Sequence, residues 1–508
     1  MKIFFSLVAL LLLQAAGNHL SSQNFEDALR YSRLNYTGTA RFTAMGGSFG
    51  ALGGEISSIS INPASVGVYR SSEFTFSSGF ADFQLETGFK NKQTEENELQ
   101  FIIPNIGYVG SYKGNPNGWK NYSFAIQFNR INDFNQSFEL KGNSPENSII
   151  NDYVNELNNR NASVADVEDF RFPFGPSEAW NVILIDTISL IDPNNPNNPN
   201  NPNNPQLEYV PYFFQQDNIE HSQSIETSGS QSETSFSFGG NYQDRLYLGA
   251  SINFQRFRFE RNITINEKYT YDPPAEVDEF LVTNYREKRF LETTGSGINL
   301  KIGMIYRLSE QLRVGLNIHS PTFFGINEEF IFESSSRFSD GEEFNSGETI
   351  SNFQYRLRTP TRYGGSVAYL FNQKAAINVD YELVDYSSAK LNDRGDTDFS
   401  FSQSNEGIDN DLDLTHHLRV GGEYKLAPFV VRLGYRYDGN PFSNNLIINE
   451  ERNSYSLGAG YRNKNFNFDL AYSLSTFDVI DPVFTTSDAN ANIEKRLSRI
   501  IASVGWRW

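Results

Sequence analysis

The strongest constraint on the fold is a strict alternation of apolar and polar side chains that recurs along most of the chain. In the final stretch, one face would carry Ile500, Ala502, Val504, Trp506 and Trp508. The opposite face would carry Arg499, Ser503, Gly505 and Arg507. Because successive side chains of a strand point to opposite faces, each such stretch is predicted to be a strand with one apolar and one polar surface.

Fourteen stretches of this kind follow residue 71. They are residues 72–85, 98–112, 121–134, 231–242, 245–263, 287–307, 311–332, 352–370, 374–390, 411–425, 429–437, 452–462, 466–477 and 494–508. Every second connection is short, such as residues 243–244 and 463–465, whereas the others are long and polar. Short turns at one end and long loops at the other are typical of an outer-membrane barrel, and an even strand number returns both chain ends to the periplasm.

The polar face of these strands distinguishes two all-β architectures. In a soluble sandwich, the apolar faces would pack against a second sheet. Here the opposite face carries charges and glycines, which suits a wet lumen enclosed by a lipid-facing wall. Closure would also remove the edges that so many strands expose. The predicted fold is therefore an all-β, 14-stranded antiparallel transmembrane β-barrel, with a soluble all-β protein as the alternative.

The chain ends suggest export and insertion. Residues 1–22 read as a signal peptide, because Lys2 precedes an apolar core at residues 3–13. The chain contains no Cys, so neither a lipidated cysteine nor a disulfide is expected. Terminal aromatic residues are common in inserted barrels, so Trp508 predicts recognition by the barrel-assembly machinery. The predicted location is the outer membrane of a Gram-negative bacterium.

A glycine-rich stretch separates the leader from the strands. Residues 38–65 contain six glycines, among them the pairs Gly46–Gly47 and Gly53–Gly54. Glycine permits close backbone approaches that a Cβ would block. A phosphate-binding loop is disfavoured, because no predicted strand precedes these glycines and no Gly-Lys-Ser/Thr follows them. We predict that residues 23–70 form a hatch, or plug, inside a barrel of residues 71–508.

The longest connection, residues 135–230, is predicted to be an extracellular loop. It contains a Pro-Asn-Asn repeat at residues 193–205, a low-complexity segment that cannot bury a core. We interpret the repeat as a variable surface spacer.

Charge and composition exclude several function classes. The formal net charge is −19, from 61 acidic and 42 basic residues, so nucleic acid is not an expected partner. An outer-membrane lipase would need a Ser–His pair with a third polar residue, but the chain has five His and no GxSxG or HExxH motif. No catalytic residue, metal or cofactor is therefore predicted.

The stretch GTARFTAMGGSFGALGGEISSISINPAS resembles the hatch of the FadL/TodX-type outer-membrane transporters of hydrophobic compounds. Five further stretches share the resemblance: FIIPNIGYVG at 101–110, RVGLNIHSPTFF at 313–324, RTPTRYGGSVAY at 358–369, NVDYELVDYS at 378–387, and residues 502–508. The resemblance implies a fourteen-stranded barrel with an N-terminal hatch. It also implies diffusive uptake of long-chain fatty acids or aromatic hydrocarbons without a cofactor.

The family resemblance assigns roles to particular positions. Asn62, Pro63 and Ala64 match the hatch motif, whereas Ser65 stands where Gly is often found. In the family, the ligand leaves sideways through an opening created by a kink in the third strand. Residues 121–134 contain no Gly or Pro, so Pro104 in the second strand is the candidate wall distortion instead.

A ligand with a carboxylate would favour an inward-facing arginine, which binds a carboxylate through two hydrogen bonds. The candidates are Arg313, Arg419, Arg432 and Arg436. The alternative is that these cations pair with carboxylates on neighbouring strands, namely Asp380, Glu382, Glu423 and Asp469.

Taken together, the sequence predicts a monomeric barrel, surrounded by outer-membrane lipid, for passive uptake of hydrophobic small molecules. A second reading is a non-transporting barrel subunit of a secretion or surface-attachment machine. A haem receptor is a variant of the transport reading that no sequence feature favours.

Overall fold

A computed structural model of the chain describes most of the residues. The described ranges are 25–89, 92–144, 148–190, 206–212, 218–271, 280–372, 374–395, 400–443, 449–482 and 490–508. The predicted signal peptide and the Pro-Asn-Asn repeat lie outside these ranges and stay predictions. Among the described helices, none is long and apolar enough to span a bilayer.

Short helices precede the barrel or sit on its extracellular side. They are α1 (Phe25–Ser32), α2 (Ala40–Ala44), α3 (Ile149–Asn159), α4 (Val164–Glu168), α5 (Pro176–Asn181) and α6 (Ser402–Asp411), with 3₁₀ turns at Ile56–Ser60, Pro63–Val68 and Tyr386–Ser388.

The strands follow the predicted alternation and make up the rest of the regular structure. They are β1 (Glu73–Phe89), β2 (Lys92–Lys113), β3 (Trp119–Asp133), β4 (Gln136–Ser144), β5 (Ile185–Leu190), β6 (Gln206–Pro211), β7 (Asn218–Tyr242), β8 (Leu246–Thr270), β9 (Val282–Arg307), β10 (Leu312–His319), β11 (Phe323–Phe338), β12 (Glu343–Arg358), β13 (Arg362–Phe371), β14 (Ala375–Asp385), β15 (Lys390–Asp393), β16 (Leu414–Leu426), β17 (Phe429–Asp438), β18 (Arg452–Arg462), β19 (Phe466–Pro482) and β20 (Asn490–Arg507).

Pairing of the first strand with the last closes the sheet into a barrel. β1 pairs antiparallel with β20, for example Phe74 with Trp506, and also with β2. Short interruptions divide four of the wall strands, giving the segment pairs β3/β4, β10/β11, β12/β13 and β14/β15. The eighteen described strands of this sheet therefore form fourteen wall strands, which confirms the predicted antiparallel barrel.

Side-chain exposure confirms which face of the wall meets lipid. On β20, Trp506 is 59% exposed and Val504 is 38% exposed, whereas Ser503, on the opposite face of the same strand, is only 2% exposed. On β8, Ile252 and Phe254 are likewise exposed. The apolar face points outward and the polar face points into the lumen, as the alternation predicted.

Residues 25–70 lie within this ring of strands. Their backbone and side chains contact the inward faces of β2, β3, β7, β8, β9, β10, β13, β14, β16, β17, β18, β19 and β20. Contacts in so many directions place the segment inside the lumen. Helix α1 lies toward the extracellular end, because Tyr31 meets Phe257 of β8, while Pro63 lies against Gly249 nearer the periplasmic end of that strand.

The region predicted as one long loop contains an ordered subdomain. Helices α3, α4 and α5 and the β5–β6 hairpin share an apolar core with the extracellular ends of β7, β8 and β9. The core includes Leu157, Val182 and Tyr285. The subdomain, β4 and the first part of β7 all lie within residues 135–230 and correct the prediction of one long loop there. They were not predicted, because this region has no alternation long enough to mark a strand.

A buried carboxylate fastens the subdomain to the barrel. Glu267 of β8 accepts hydrogen bonds from Ser148 Oγ at 2.5 Å, from the Ile149 amide at 2.8 Å and from the Tyr269 hydroxyl at 2.7 Å. Burial, followed by the charge of Glu267, raises the pKa of the Tyr269 phenol well above its ordinary value, so the phenol stays protonated as a donor. The carboxylate also lies at the N-terminus of α3, where a negative charge is favourable.

We predict that Glu267→Ala will release α3 from the barrel without unfolding the wall. The substitution leaves three buried donors without an acceptor, which should cost about 2–3 kcal/mol of local stability. Limited proteolysis should cut residues 148–190 faster, while the heat-dependent electrophoretic mobility of the barrel stays the same. Glu226→Ala, at an exposed position of β7, is the matched control. Equal cleavage of both variants would contradict the anchoring role.

Candidate transport site

The glycine pairs of the plug adopt backbone conformations that side chains disfavour. Gly46, Gly47, Gly53 and Gly54 have φ of 62°, 76°, 59° and 67°. A Cβ on Gly46 would lie 2.9 Å from the carbonyl oxygen of Tyr435 in β17, and one on Gly53 would lie 2.7 Å from the Val68 side chain. These glycines therefore allow the plug to fold tightly and to lie directly on the wall backbone.

The Asn-Pro-Ala turn sits against wall glycines. The Asn62 side chain accepts a hydrogen bond from the Ala64 amide at 3.0 Å and donates one to the Gly50 carbonyl at 2.8 Å. Asn62 thereby caps the 3₁₀ turn that begins at Pro63. A Cβ on Gly303 of β9 would lie 1.8 Å from Asn62 Oδ1, so the wall has no room for a side chain at that point.

Wall cations donate hydrogen bonds to backbone carbonyls of the plug. Lys301 donates to Ser60 O at 3.1 Å, and Arg313 donates to Leu52 O at 2.9 Å. Arg362 and Arg436 donate to the carbonyl oxygens of Ser32 and Leu34, respectively. The plug's own backbone hydrogen bonds belong to short turns, such as those from Ile61 N to Ser58 O and from Gly53 N to Phe49 O. The wall donors satisfy carbonyl groups outside these turns that would otherwise be buried without partners.

A wall carboxylate accepts hydrogen bonds from backbone amides of the plug. Asp380 of β14 accepts hydrogen bonds from the amides of Phe49 at 2.9 Å and Gly50 at 3.1 Å. A Cβ on Gly50 would lie 2.0 Å from Ser366 Oγ of β13. The plug is thus held by both its amides and its carbonyls.

The four arginines predicted to receive a ligand carboxylate differ in their partners. Arg419 pairs with Glu382 at 3.3 Å, and Arg432 pairs with Glu423 and Asp469, each at 2.7 Å. Arg436 pairs with Asp438 at 2.8 Å. Three of the four therefore have carboxylate partners, the arrangement considered as the alternative, although Asp438 was not among the acids named for it.

Arg313 is different, because it forms no ion pair with a described carboxylate. Its Nη1 donates to the plug carbonyl of Leu52, and its Nε has no hydrogen-bond partner within the described structure. Sequence reasoning did not single out Lys301 and Arg362, which also touch the plug. Their inward positions in the strand alternation are the signal that would have identified them.

Pro104 lies where the barrel wall loses its regular pairing. Ser77 of β1 pairs with Asn105, but Gly79 pairs with Ile102, so β2 has one extra residue at this bulge. Backbone pairing of β2 with β3 extends from Lys113 only to Asn105. Beyond that point, a side-chain hydrogen bond of 2.9 Å between Asn135 Nδ2 and Gln100 Oε1 bridges the two chain segments. The wall between β2 and β3 is therefore closed there by side chains rather than by backbone hydrogen bonds.

An aromatic cluster leads from the lumen to this break. The ring of Tyr31 in α1 stacks on Phe257, with centroids 4.0 Å apart and an angle of 14° between the planes. It also meets Phe134 and Phe259 edge to face, at centroid distances of 6.3 and 6.5 Å. Phe134 directly precedes Asn135, so the Tyr31 ring lies one residue from the side chains that bridge the wall break.

A small void lies on the other side of Tyr31. It has a volume of about 10 Å³, and its lining includes Tyr31, Lys301, His319 and Arg362. That volume holds about one water molecule. A hydrophobic ligand cannot pass through this void unless the plug moves. The described residues contain no cluster of His, Asp or Glu able to hold a metal ion.

Comparisons with known proteins agree with this geometry. The sequence model described as outer membrane protein transport protein (OMPP1/FadL/TodX) matches residues 218–506, more than half of the chain. No curated protein sequence matches significantly.

Solved structures show the same fold at low sequence identity. A FadL homologue from Pseudomonas aeruginosa is 13% identical, with 92% of this chain and 98% of that chain covered and a TM-score of 0.55. The toluene transporter TodX from P. putida is 12% identical, with 94% and 99% covered and a TM-score of 0.51. The family consists of outer-membrane transport proteins of Gram-negative bacteria rather than enzymes. The chain belongs to this FadL/TodX family of channels for hydrophobic compounds.

Proposed function

We propose that this chain conducts neutral aromatic compounds passively across the outer membrane, with residues 25–70 as its gate. The single observation that carries this proposal is the position of Tyr31. Its ring fills a slot formed by the rings of Phe134, Phe257 and Phe259. A monoaromatic ligand has the shape and surface to replace a phenol ring in such a slot.

The charges of the lumen support a neutral ligand over a fatty acid. Arg419, Arg432 and Arg436 already have carboxylate partners, and a ligand carboxylate would have to displace one of them. Leaving a buried charge without its partner costs about 3–5 kcal/mol. Arg313 is the remaining candidate for a carboxylate ligand, but it must then release the Leu52 carbonyl of the plug.

The proposed path runs from the extracellular lumen through the Tyr31 slot and out through the wall. Helix α1 moves, the ligand replaces the Tyr31 ring, and it then passes Phe134 toward the break at Pro104. The Asn135–Gln100 side-chain bond has to open at that point, because β2 and β3 share no backbone ladder there. The next bond along the break, from Thr94 Oγ1 of β2 to the Glu139 carbonyl of β4, lies further toward the extracellular end. Ile103 on the outer face is 37% exposed, so the exit meets the apolar part of the membrane.

The first prediction concerns the substrate. Tyr31→Ala should increase uptake of labelled toluene by intact cells carrying the protein, because the slot is already empty. Tyr31→Phe keeps the ring and is the matched control, with uptake close to that of the unchanged chain. Arg313→Gln removes the remaining candidate cation for a carboxylate and one bond to the plug, so it should not reduce toluene uptake. Uptake of a labelled long-chain fatty acid, but not of toluene, would show that the ligand is a carboxylate.

Transport itself has a separate outcome. If neither compound enters faster than in cells without the protein, the transport proposal fails. Co-purification with a protein partner in fixed stoichiometry would instead support the subunit of a secretion or surface-attachment machine.

The second prediction concerns the gate. Deletion of residues 24–66 should leave a folded barrel with a steady conductance in planar bilayers, because the plug fills the lumen. Pro63→Gly should give intermittent opening, since it loosens the turn that Asn62 caps. Pro211→Gly, in the extracellular subdomain, is the control. A deletion variant that conducts no better than the unchanged chain would remove the plugging role.

The third prediction concerns the exit. The chain has no Cys, so Gln100→Cys with Asn135→Cys introduces the only thiols. A short reducible bis-thiol crosslinker across the break should abolish toluene uptake, and reductant should restore it. Ser454→Cys with Ser475→Cys, a hydrogen-bonded pair on the neighbouring strands β18 and β19, provides the control crosslink. Undiminished uptake with the wall locked would favour an exit toward the periplasm.

A further inference from the structure

The outer wall carries a basic surface at an unusual position for a chain with a net charge of −19. We name it the basic outer patch, and it lies on β8, on β12, and on β15 and the residue that follows it. Its members are Arg256, Arg356, Arg358, Lys390 and Arg394, all of which are exposed.

Strand register shows that the patch is contiguous. Arg358 of β12 lies opposite Lys390 of β15 on one side and opposite Phe323 of β11 on the other. Two residues further along, Arg356 lies opposite Asn392 and Gly325. Neighbouring strands are about 4.8 Å apart and alternate residues of a strand are about 7 Å apart, so these cations can contact a single anionic group together.

The two remaining cations, Arg394 and Arg256, lie on either side of these three. Arg394 donates hydrogen bonds of 3.1 Å to Asn327 of β11 and to Gln354 of β12. On the other side of β11, Gly325 lies opposite Ser296 of β9, which lies opposite Arg256 of β8. None of the positions in these rows is Asp or Glu.

The patch also differs from other cationic positions of the wall in its partners. None of the five forms an ion pair with a carboxylate in the described part of the chain. By contrast, cations further toward the extracellular side are paired, such as Lys288 with Glu333 and Arg337 with Glu343. The surface between the cations is free of other side chains at Gly325, because a Cβ added there would meet no atom within 4 Å.

The patch lies immediately above the lipid-facing band. The row that contains Arg358 and Lys390 continues through Phe323, Ile298 and Phe254, which are 57%, 44% and 49% exposed. The next outward positions toward the extracellular side are polar or cationic. Arg358 lies directly beside the exposed Phe323, and Arg356 is the next outward residue toward the extracellular side, so the cations of β12 and β15 border the lipid-facing band where headgroups meet a barrel.

We infer that the basic outer patch binds the phosphate groups of an outer-leaflet lipid, with acyl chains lying along the Phe323, Ile298 and Phe254 row. Arginine binds phosphate through two parallel hydrogen bonds, and Arg356 and Arg358 present two guanidinium groups on one strand face. Asn392 supplies a neutral hydrogen-bonding group beside Arg356, and Ser296 supplies one beside Arg256. The phosphorylated glycolipid of the outer leaflet, of the lipid A type, has the required chemistry.

The test is a titration of the purified full-length chain in mild detergent with bisphosphorylated lipid A, read out by native mass spectrometry. The variant Arg356→Gln/Arg358→Gln/Lys390→Gln should bind about 100-fold more weakly, on the scale expected for three cations at an anionic lipid surface. The control Arg171→Gln/Lys288→Gln/Arg337→Gln removes the same charge from paired extracellular cations. It should bind like the unchanged chain.

Two further arms identify the ligand. Dephosphorylated lipid A should bind as weakly to the unchanged chain as lipid A binds to the triple variant. Arg356→Lys/Arg358→Lys keeps the charge and should bind within about tenfold of the unchanged chain. Heat-dependent electrophoretic mobility verifies that every variant is folded.

Three results would overturn the inference. The first is equal lipid A affinity of the triple variant and its control. The second is equal affinity of the unchanged chain for the phosphorylated and dephosphorylated lipids. The third is complete displacement of lipid A by an equal concentration of inorganic phosphate, which would indicate a site for free anions.

Discussion

Closure of the sheet through the β1–β20 pairing is the constraint on which the rest of the structure depends. Hydrocarbon offers no hydrogen-bond partners, so each backbone amide and carbonyl of a membrane-spanning strand needs one within the protein. The ladder from Glu73–Arg507 to Gly88–Asn492 supplies those partners along the seam. Once the ring is closed, the outward side chains must suit lipid and the inward side chains must share a polar lumen.

The polar lumen determines how the plug is held. A segment of 3₁₀ turns and short helices leaves many backbone groups without internal partners, and lumen side chains provide them. Lys301 bonds to Glu233 and to the carbonyl of Ser60, so one buried cation serves both an ion pair and the plug. The same contacts explain why the enclosed lumen is closed in this state, since polar wall groups are used for packing the plug rather than for binding a ligand.

The weakest part of this closed arrangement is the region around Tyr31 and Pro104. The plug meets the wall through hydrogen bonds at Asn62, which donates to the Met304 carbonyl, and at Asp380, whereas the Tyr31 side chain meets it through ring contacts. Ring contacts are less directional than hydrogen bonds, so an apolar ligand can replace them at smaller cost. The wall nearby lacks a backbone ladder, so the replaceable part of the plug and the weak part of the wall lie next to each other.

The alternation of side chains by itself determined the strands, their faces and the closed barrel, because lipid and lumen impose a two-residue period that can be read along the chain. The glycine pairs and the Asn-Pro-Ala motif likewise marked the plug. Only the tertiary structure decided the partners of Arg419, Arg432 and Arg436, the break between β2 and β3, and the subdomain fastened by Glu267. Each of these depends on which segments, far apart in the sequence, become neighbours in space. A two-residue period describes only the faces of a single strand and carries no information about its neighbours.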